Sequence, residues 1–504
     1  MLLLGIDIGT SGAKAVIVDS ERAGAVLGVG AAEYPLHTPR PLWAEEDPED
    51  WWKATVACIR QAVQQSGVDS RSIAAVGLSG QMQGAVLLDK SDRVVRNAPL
   101  WCDQRAAPEA AGAAAKIGQA RVVELTCNPI LMGSTASKIL WLRKHEPDSY
   151  ARIARVLLPK DYVRLRMTGE RATDVCDASA TALFDVAART WSNEMLESLE
   201  IPAAWLPRAL ESAEVSGRVS SDAASATGLA HGTNVAAGAG DDASAAVGCG
   251  AVSAGIIGSS LGTSAVLLGV SAQAVPDARM RVDMFCHAIP NTWQIIGATL
   301  AAGASLRWFK NAFCEAEQAA ATRTGTDVYD ALCREALTTP AGSEGLIFLP
   351  HLSGMRTPEP NPDATGVFFG LTLRHRKPHF LRAILEGVAF GVRDSIEIFK
   401  ELGVPVDEVR SIGGGSRSEI WRQIQADVIG LPHCAVNITE CAAFGAALLA
   451  GVSAGTYASV PDACQATIKP VGAFAPAPEN AEVYDRNYRQ YRALVQSVYR
   501  QKPS

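Results

Sequence analysis

The chain has 504 residues, 48% of them apolar and 20% charged, which excludes a disordered protein and is too long for one core, so two or three domains are expected. Its formal net charge of −7 argues against nucleic acid as a partner, so any anion it binds must be held by local geometry. Eleven cysteines form no C-x-x-C pair, and the eight histidines show no metal spacing beyond His375 and His379, which flank Pro378. This usage points to a reduced, cytoplasmic enzyme without a structural metal.

The first residues, "LLLGIDIGTSGAKAVIVD" at 2–19, read as strands over 2–8 and 13–18 joined by a glycine-rich turn. Asp7 interrupts the short apolar run and no basic region precedes it, which predicts no signal peptide. A helix follows at 48–67, "PEDWWKATVACIRQAVQQSG", with acids near its start and Gly67 closing it. Trp51 and Trp52 on it are expected to pack. Strands are predicted at 73–79 and 84–88, and the alternation of strand and helix speaks for an α/β protein.

From Ala243 to Pro276 there is no charged residue, longer than the ~20 residues needed to span a bilayer. The stretch is rich in Gly, Ser and Thr, with apolar residues in short β-branched clusters, so buried strands joined by turns are expected and no membrane span. Strands are predicted at 252–258, 264–270, 281–289 and 293–298, and a helix from near Ala301. Another strand ends in "VRSIGGG" at 409–415, and a helix at 416–430 closes at Gly430. Both halves therefore open as strand, Gly-Thr-Ser turn, strand, the second copy being "IIGSSLGTSAVLL" at 256–268. Half a chain separates the copies, which suggests duplicated domains, 1–247 and 248–504, rather than a solenoid.

Tight turns expose successive backbone N–H groups, and glycine lets a ligand come close. Thr10, Ser11 and Thr263 add hydroxyls and Lys14 a positive charge, all suited to phosphate oxygens. An acid at Asp7 beside such an anion makes sense with Mg²⁺ between them, because hard cations take carboxylate oxygens. In "AAGAGDDASAAVG" at 236–248, Gly238-x-Gly240 resembles a dinucleotide fingerprint, but the acid required about 20 residues on falls in the uncharged stretch. What remains is a carboxylate pair, Asp241 and Asp242, read either as a helix cap or as a general base aimed into a cleft.

These motifs resemble the FGGY family of carbohydrate kinases over nearly the whole chain, and among its members most closely those acting on D-xylulose. "DIGTSGAK" and "SLGTS" resemble the family's phosphate loops and "GAGDDASAAVG" its catalytic loop. "GSTASKILWLRKH" at 133–145 and "GVFFGLTLRHRKPHFLRAILEG" at 366–387 fit its two signatures, and "IGGGSRSEIWRQIQAD" its adenosine motif. "PLWAEEDPEDWW", "LLPKDYVRLRMTGE" and "LPHLSGMRTP" are further points of similarity.

The resemblance implies two actin/hexokinase-like (ribonuclease H-like) ATPase domains around a cleft, with sugar mainly on the first and ATP mainly on the second. It implies Asp241 as catalytic base, with Asp7 and Asp241 as Mg²⁺ ligands. Met82, Gln83, Trp101, Asp103 and Asp242 would serve the sugar. Thr10, Ser11, Lys14, Gly262, Thr263, Gly303, Gly414, Gly415 and Glu419 would serve ATP. The implied reaction moves the γ-phosphoryl of ATP to the terminal hydroxyl of a ketopentose, D-xylulose first, in a cytoplasmic enzyme that is a homodimer by resemblance. D-ribulose, L-xylulose, a tetrulose or a polyol are the alternatives, and a non-catalytic nucleotide-binding protein of the actin fold is the reading from another class. Two residues depart from the usual pattern: Gln83 stands where His is common and Asp242 where Asn is common. Gln still donates and accepts, whereas an ionised Asp only accepts.

Overall fold

Near-continuous apolar runs in the first strands dictate a sheet that is covered on both faces. In the computed structural model, which describes Met1–Tyr499, Leu2–Ile8 pairs antiparallel with Gly12–Asp19 and parallel with Ile73–Gly80. The mixed sheet runs Val215–Arg218, Asn234–Ala236, Ile73–Gly80, Leu2–Ile8, Gly12–Asp19, Ala25–Glu33, and the short strand Ala239–Gly240 also pairs with Ile73–Gly80. Leu4, Ile6, Ala15 and Ile17 bury one face with Trp51, Cys58 and Ala62 of the helix Pro48–Ser66. That helix is capped by Asp47 and ends where Gly67 turns left-handed, as its sequence predicts.

The opposite face is covered by a helix from far along the chain, Cys441–Ser453. It lies so close that a Cβ on Gly5 would sit 1.8 Å from the Ala443 carbonyl oxygen, and one on Gly77 1.8 Å from that of Ala446. Only glycine permits this approach. The first compact unit accordingly comprises Met1–Ser253, Ser271–Gln294 and Glu440–Ile468, and the second Ala254–Val270, Ile295–Thr439 and the chain from Lys469 onward.

The second unit is built on a sheet in the order Trp293–Thr299, Ala265–Ser271, Gly255–Leu261, Val406–Ile412, His433–Val436, Pro470–Phe474. The uncharged stretch ends the helix Asp241–Cys249 and then supplies two buried strands. No helix among the described residues is long and apolar enough to cross a membrane.

Three sequence readings shift. The strand expected at 84–88 is only Val86–Leu88, because Gln83 adopts a left-handed φ of 67° and residues 81–85 form a loop. The strand expected at 281–289 narrows to Asp283–Cys286. The helix expected from 416 begins as a 3₁₀ turn, Gly414–Arg417, and becomes α-helical over Glu419–Ile429 with Gly430 as its left-handed cap.

Candidate active site

Register decides which residues of the first unit meet. Ser79 lies between Asp7 and Ala239 on neighbouring parallel strands, and Gly80 between Ile8 and Gly240. Three strands running the same way thus end in one row, and their next residues are the Gly9–Thr10–Ser11 turn, the loop from Gln81, and Asp241. Ligands in open α/β sheets bind beyond such carboxyl ends.

Asp7 accepts a hydrogen bond from the Ser79 hydroxyl at 2.8 Å. Burial raises the proton affinity of its carboxyl above the ordinary range, with the Ser79 bond and Lys14 opposing and Glu440 adding to the rise. The turn is closed by the Gly9 N–H on the Gly12 carbonyl, 3.1 Å. Its Gly9 carbonyl accepts from Tyr34 and from Gln81 Nε2, and Thr10 Oγ1 accepts from the Trp101 indole at 2.9 Å. Ser11 is exposed. Lys14 does not stand alone: its ammonium is 2.6 Å from Glu440.

Glu46, which the sequence reading quoted but gave no role, lies beneath this turn. It accepts from the Trp51 indole at 2.7 Å and from Gln81 at 2.8 Å, and burial pushes its carboxyl up to about 7. Gln81 also donates its backbone N–H to Ile8, so it ties the hairpin to the neighbouring loop.

In that loop Met82 is buried, and a Cβ on Gly240 would fall 2.7 Å from its sulfur. Gln83 holds a backbone conformation that costs a non-glycine residue about 1–3 kcal/mol. Its carbonyl accepts from Thr135 Oγ1 and Lys138 Nζ, each at 2.9 Å. Trp101 is half-exposed beside them. Asp103 is fully buried with both oxygens engaged, by the Arg105 guanidinium at 2.9 and 2.7 Å and by the Ala44 N–H at 2.7 Å. Arg105 in turn stacks over Trp43 and pairs with Glu45 at 2.6 Å. Asp103 therefore fixes the loop carrying Trp101.

Asp241 and Asp242 open the helix Asp241–Cys249, which Gly240 caps, and both remain partly exposed. The Asp242 N–H donates to Asp241 Oδ1 at 3.0 Å. Burial, then the charges of Asp242, Asp7 and Asp177, hold the Asp241 carboxyl well above its ordinary range. Burial and Asp283 push Asp242 up to about 6. Arg164 donates to the Ala237 carbonyl and braces the approach to this turn. The acidic trio Asp161, Asp174 and Asp177 beneath it already holds the Lys160 ammonium at 2.8, 2.5 and 2.9 Å.

Asp7 and Asp241, by contrast, are hard carboxylates, both with raised proton affinity, and the charge of Asp7 adds to the rise at Asp241. That donor chemistry fits a divalent cation of the Mg²⁺ kind.

In the second unit the turn after Leu261 is closed by the Gly262 N–H on Ser264, 2.9 Å. Its carbonyls receive the first N–H groups of the helix Gly303–Phe313: Gly303 donates to Gly262 at 3.0 Å, and Ala302 and Ala304 to Thr263 at 2.9 and 3.1 Å. A Cβ on Gly303 would lie 2.4 Å from the Gly262 oxygen. Gly262, Thr263, Gly303, Gly414 and Gly415 line a cavity of about 350 Å³. Glu419 is not among its lining residues; it is exposed, 3.8 Å from Arg422. The cavity adds residues that sequence reasoning missed: Arg307, Arg417, and Asp327, Tyr329 and Asp330 around the start of the helix Val328–Ala336. Asp327 reads in sequence as an ordinary helix cap, and it is one, accepting from the Tyr329 N–H at 2.7 Å.

Comparison with known proteins divides the chain in sequence near residue 250. Residues 2–248 match the N-terminal domain of the FGGY family of carbohydrate kinases, and residues 258–454 its C-terminal domain. A xylulose kinase of Escherichia coli strain K12 is 41% identical over 429 residues, 85% of either chain. A xylulose kinase of Bacillus subtilis strain 168 is 36% identical, covering 98% of this chain and 96% of the other. The crystal structure of xylulose kinase from Rhodospirillum rubrum superposes with a TM-score of 0.91 at 30% identity over 99% of both chains. The two-domain, mixed-sheet α/β architecture is the actin/hexokinase-like one that the sequence motifs implied.

Proposed function

Because the chain belongs to the FGGY family of carbohydrate kinases, we propose that it transfers the γ-phosphoryl group of ATP to the terminal hydroxyl of D-xylulose, giving D-xylulose 5-phosphate. The activity named for its relatives over 85–98% of the chain supports the sugar. The observation that carries the reading is the row Asp7–Ser79–Ala239, whose strands end together at a hydroxyl-bearing turn, a polar loop and a partly exposed Asp241.

Asp241 takes the proton of the attacking hydroxyl. Its raised proton affinity makes it a stronger base than a solvated carboxylate, and the Asp242 N–H fixes its orientation. Met82, Gln83 and Asp242 contact the sugar, with Trp101 at the rim. Thr10 and Ser11 of the first unit offer hydroxyls to phosphate oxygens. In the second unit Thr263 and the glycines at 262, 303, 414 and 415 receive the nucleotide. Lys14, shared with Glu440, contributes a weakened charge, and Glu419 serves the nucleotide from outside the cavity. Mg²⁺ held by Asp7 and Asp241 would neutralise charge on the phosphates during transfer. The enzyme acts in the cytoplasm and assembles as a homodimer.

ADP release measured with D-xylulose, D-ribulose, L-xylulose, tetruloses and common polyols tests the assignment. D-xylulose is expected to give the highest kcat/KM, and Asp241→Asn to lower turnover by about 10²–10⁴-fold. Equal ATP hydrolysis with and without every sugar would overturn the kinase reading, and a higher kcat/KM for another sugar would overturn D-xylulose.

A further inference from the structure

The helix Thr135–His145 carries Lys138 with no exposed surface, and among the described residues its ammonium bonds only to backbone carbonyls, Gln83 at 2.9 Å and Gly133 at 2.5 Å. Elsewhere in the same unit the equally buried Lys160 is surrounded by three carboxylates. A buried cation that has carbonyls in place of counter-charges is costly, and a well-packed apolar residue would serve stability as well or better. The cost shows in Lys138 itself, whose proton affinity burial pushes down to about 7 while Asp103 and Cys102 oppose the fall and Arg105 adds to it.

The two carbonyls identify what is gained. One belongs to Gln83, whose left-handed backbone persists only where its surroundings over-determine it, and Thr135 donates to the same oxygen. The other belongs to Gly133, where a Cβ would lie 2.2 Å from the Trp101 carbonyl oxygen and 3.0 Å from the Gln83 amide oxygen. Three loop segments meet at this point, and one ammonium joins two of them.

We propose that Lys138 is a positioning residue for the acceptor sugar, holding the Gln83 and Gly133 carbonyls so that the Gln83 amide faces the substrate; this rests on the reading of Gln83 as a sugar contact. The two donors on the Gln83 carbonyl, Lys138 Nζ and Thr135 Oγ1, anchor the backbone from which that amide extends.

The test compares Lys138→Met, Thr135→Val and Gln83→Ala in the full chain, with D-xylulose and ATP as varied substrates and the melting temperature read in parallel. Lys138→Met is expected to raise the KM for D-xylulose about 10–50-fold and Thr135→Val about 3–10-fold, with kcat and the KM for ATP within about twofold and the melting temperature kept. Gln83→Ala is expected to raise the same KM. If Gln83→Ala raises it and neither other variant does, the positioning role is refuted while the sugar site stands. If Gln83→Ala leaves it unchanged, the sugar-site reading fails and the proposal with it. Parallel loss of both KM values and of melting temperature also refutes the role, as general loosening. Should Lys138→Met not fold, Thr135→Val decides alone, since it removes a donor from the same oxygen.

Discussion

The two Gly-Thr-Ser hairpins share a plan and differ in what supports them. In the first, Asp7 faces Lys14 across the hairpin and lies beside Ser79. At the matching place of the second, Ser260 faces Val266 and lies beside Ile412. The first turn is held by side chains, Tyr34, Gln81 and Trp101, whereas the second is held by the backbone at the start of a helix. A turn that carries a carboxylate needs fixed polar side chains to keep that charge oriented in a partly desolvated place. A neutral turn can lean on helix N–H groups and lie flat against a ligand. One supersecondary unit has thus become a charged half and a neutral half.

The sharpest way to break this comparison is to remove the charge. Asp7→Asn is expected to lower kcat by about 10²–10³-fold, as losing one electrostatic contact in an active site does. Ser260→Ala, at the matching place, is expected to change kcat by less than about threefold, and steady-state kinetics of the two side by side decides the matter. Next in size is Gly303→Val, whose Cβ meets the Gly262 oxygen that the helix caps. It should raise the KM for ATP about tenfold or more and destabilise the second unit by about 1–3 kcal/mol, read from nucleotide titration and urea melts. Trp101→Phe removes the indole donor to Thr10 and should cost about 2–5-fold in kcat/KM with stability unchanged.

A separate effect, on stability rather than on turnover, concerns acid. Two strands along the sheet from the second hairpin, burial pushes His433 down to about 3, and the ring bonds to Ser411. In the unfolded chain this imidazole takes its proton near pH 6.5, so between there and about pH 3 the unfolded state binds more protons and stability falls as pH falls. His433→Gln should remove about 2 kcal/mol of that fall between pH 7 and 5, measured as urea midpoints across the range.

The hairpins and the helix opening at Asp241 were legible in sequence because their signals are local: strand periodicity, a glycine turn, a small-residue helix behind an acid pair. The strand lost at 84–85 was not, since nothing local announces the left-handed Gln83 that Lys138 and Thr135 hold from some 50 residues away. The ion pair of Lys14 was not legible either, because its partner Glu440 is 426 residues distant. The engagement of Asp103 by Arg105 and the Ala44 N–H was hidden as well, since the Ala44 contact depends on tertiary approach. The second unit's cavity hid Asp327, Tyr329 and Asp330 for the same reason, because a helix cap and a cavity-lining residue look alike in one dimension.

The helix Cys441–Ser453, seated on Gly5 and Gly77, has a consequence for synthesis. A ribosome makes the two strands it covers roughly 370 and 440 residues earlier, about 20–90 s at ordinary elongation speeds. Throughout that interval a nascent apolar sheet waits with one side bare. Its amino-terminal half should therefore draw on chaperones during translation, and a gene cut between the two halves should yield an aggregating fragment.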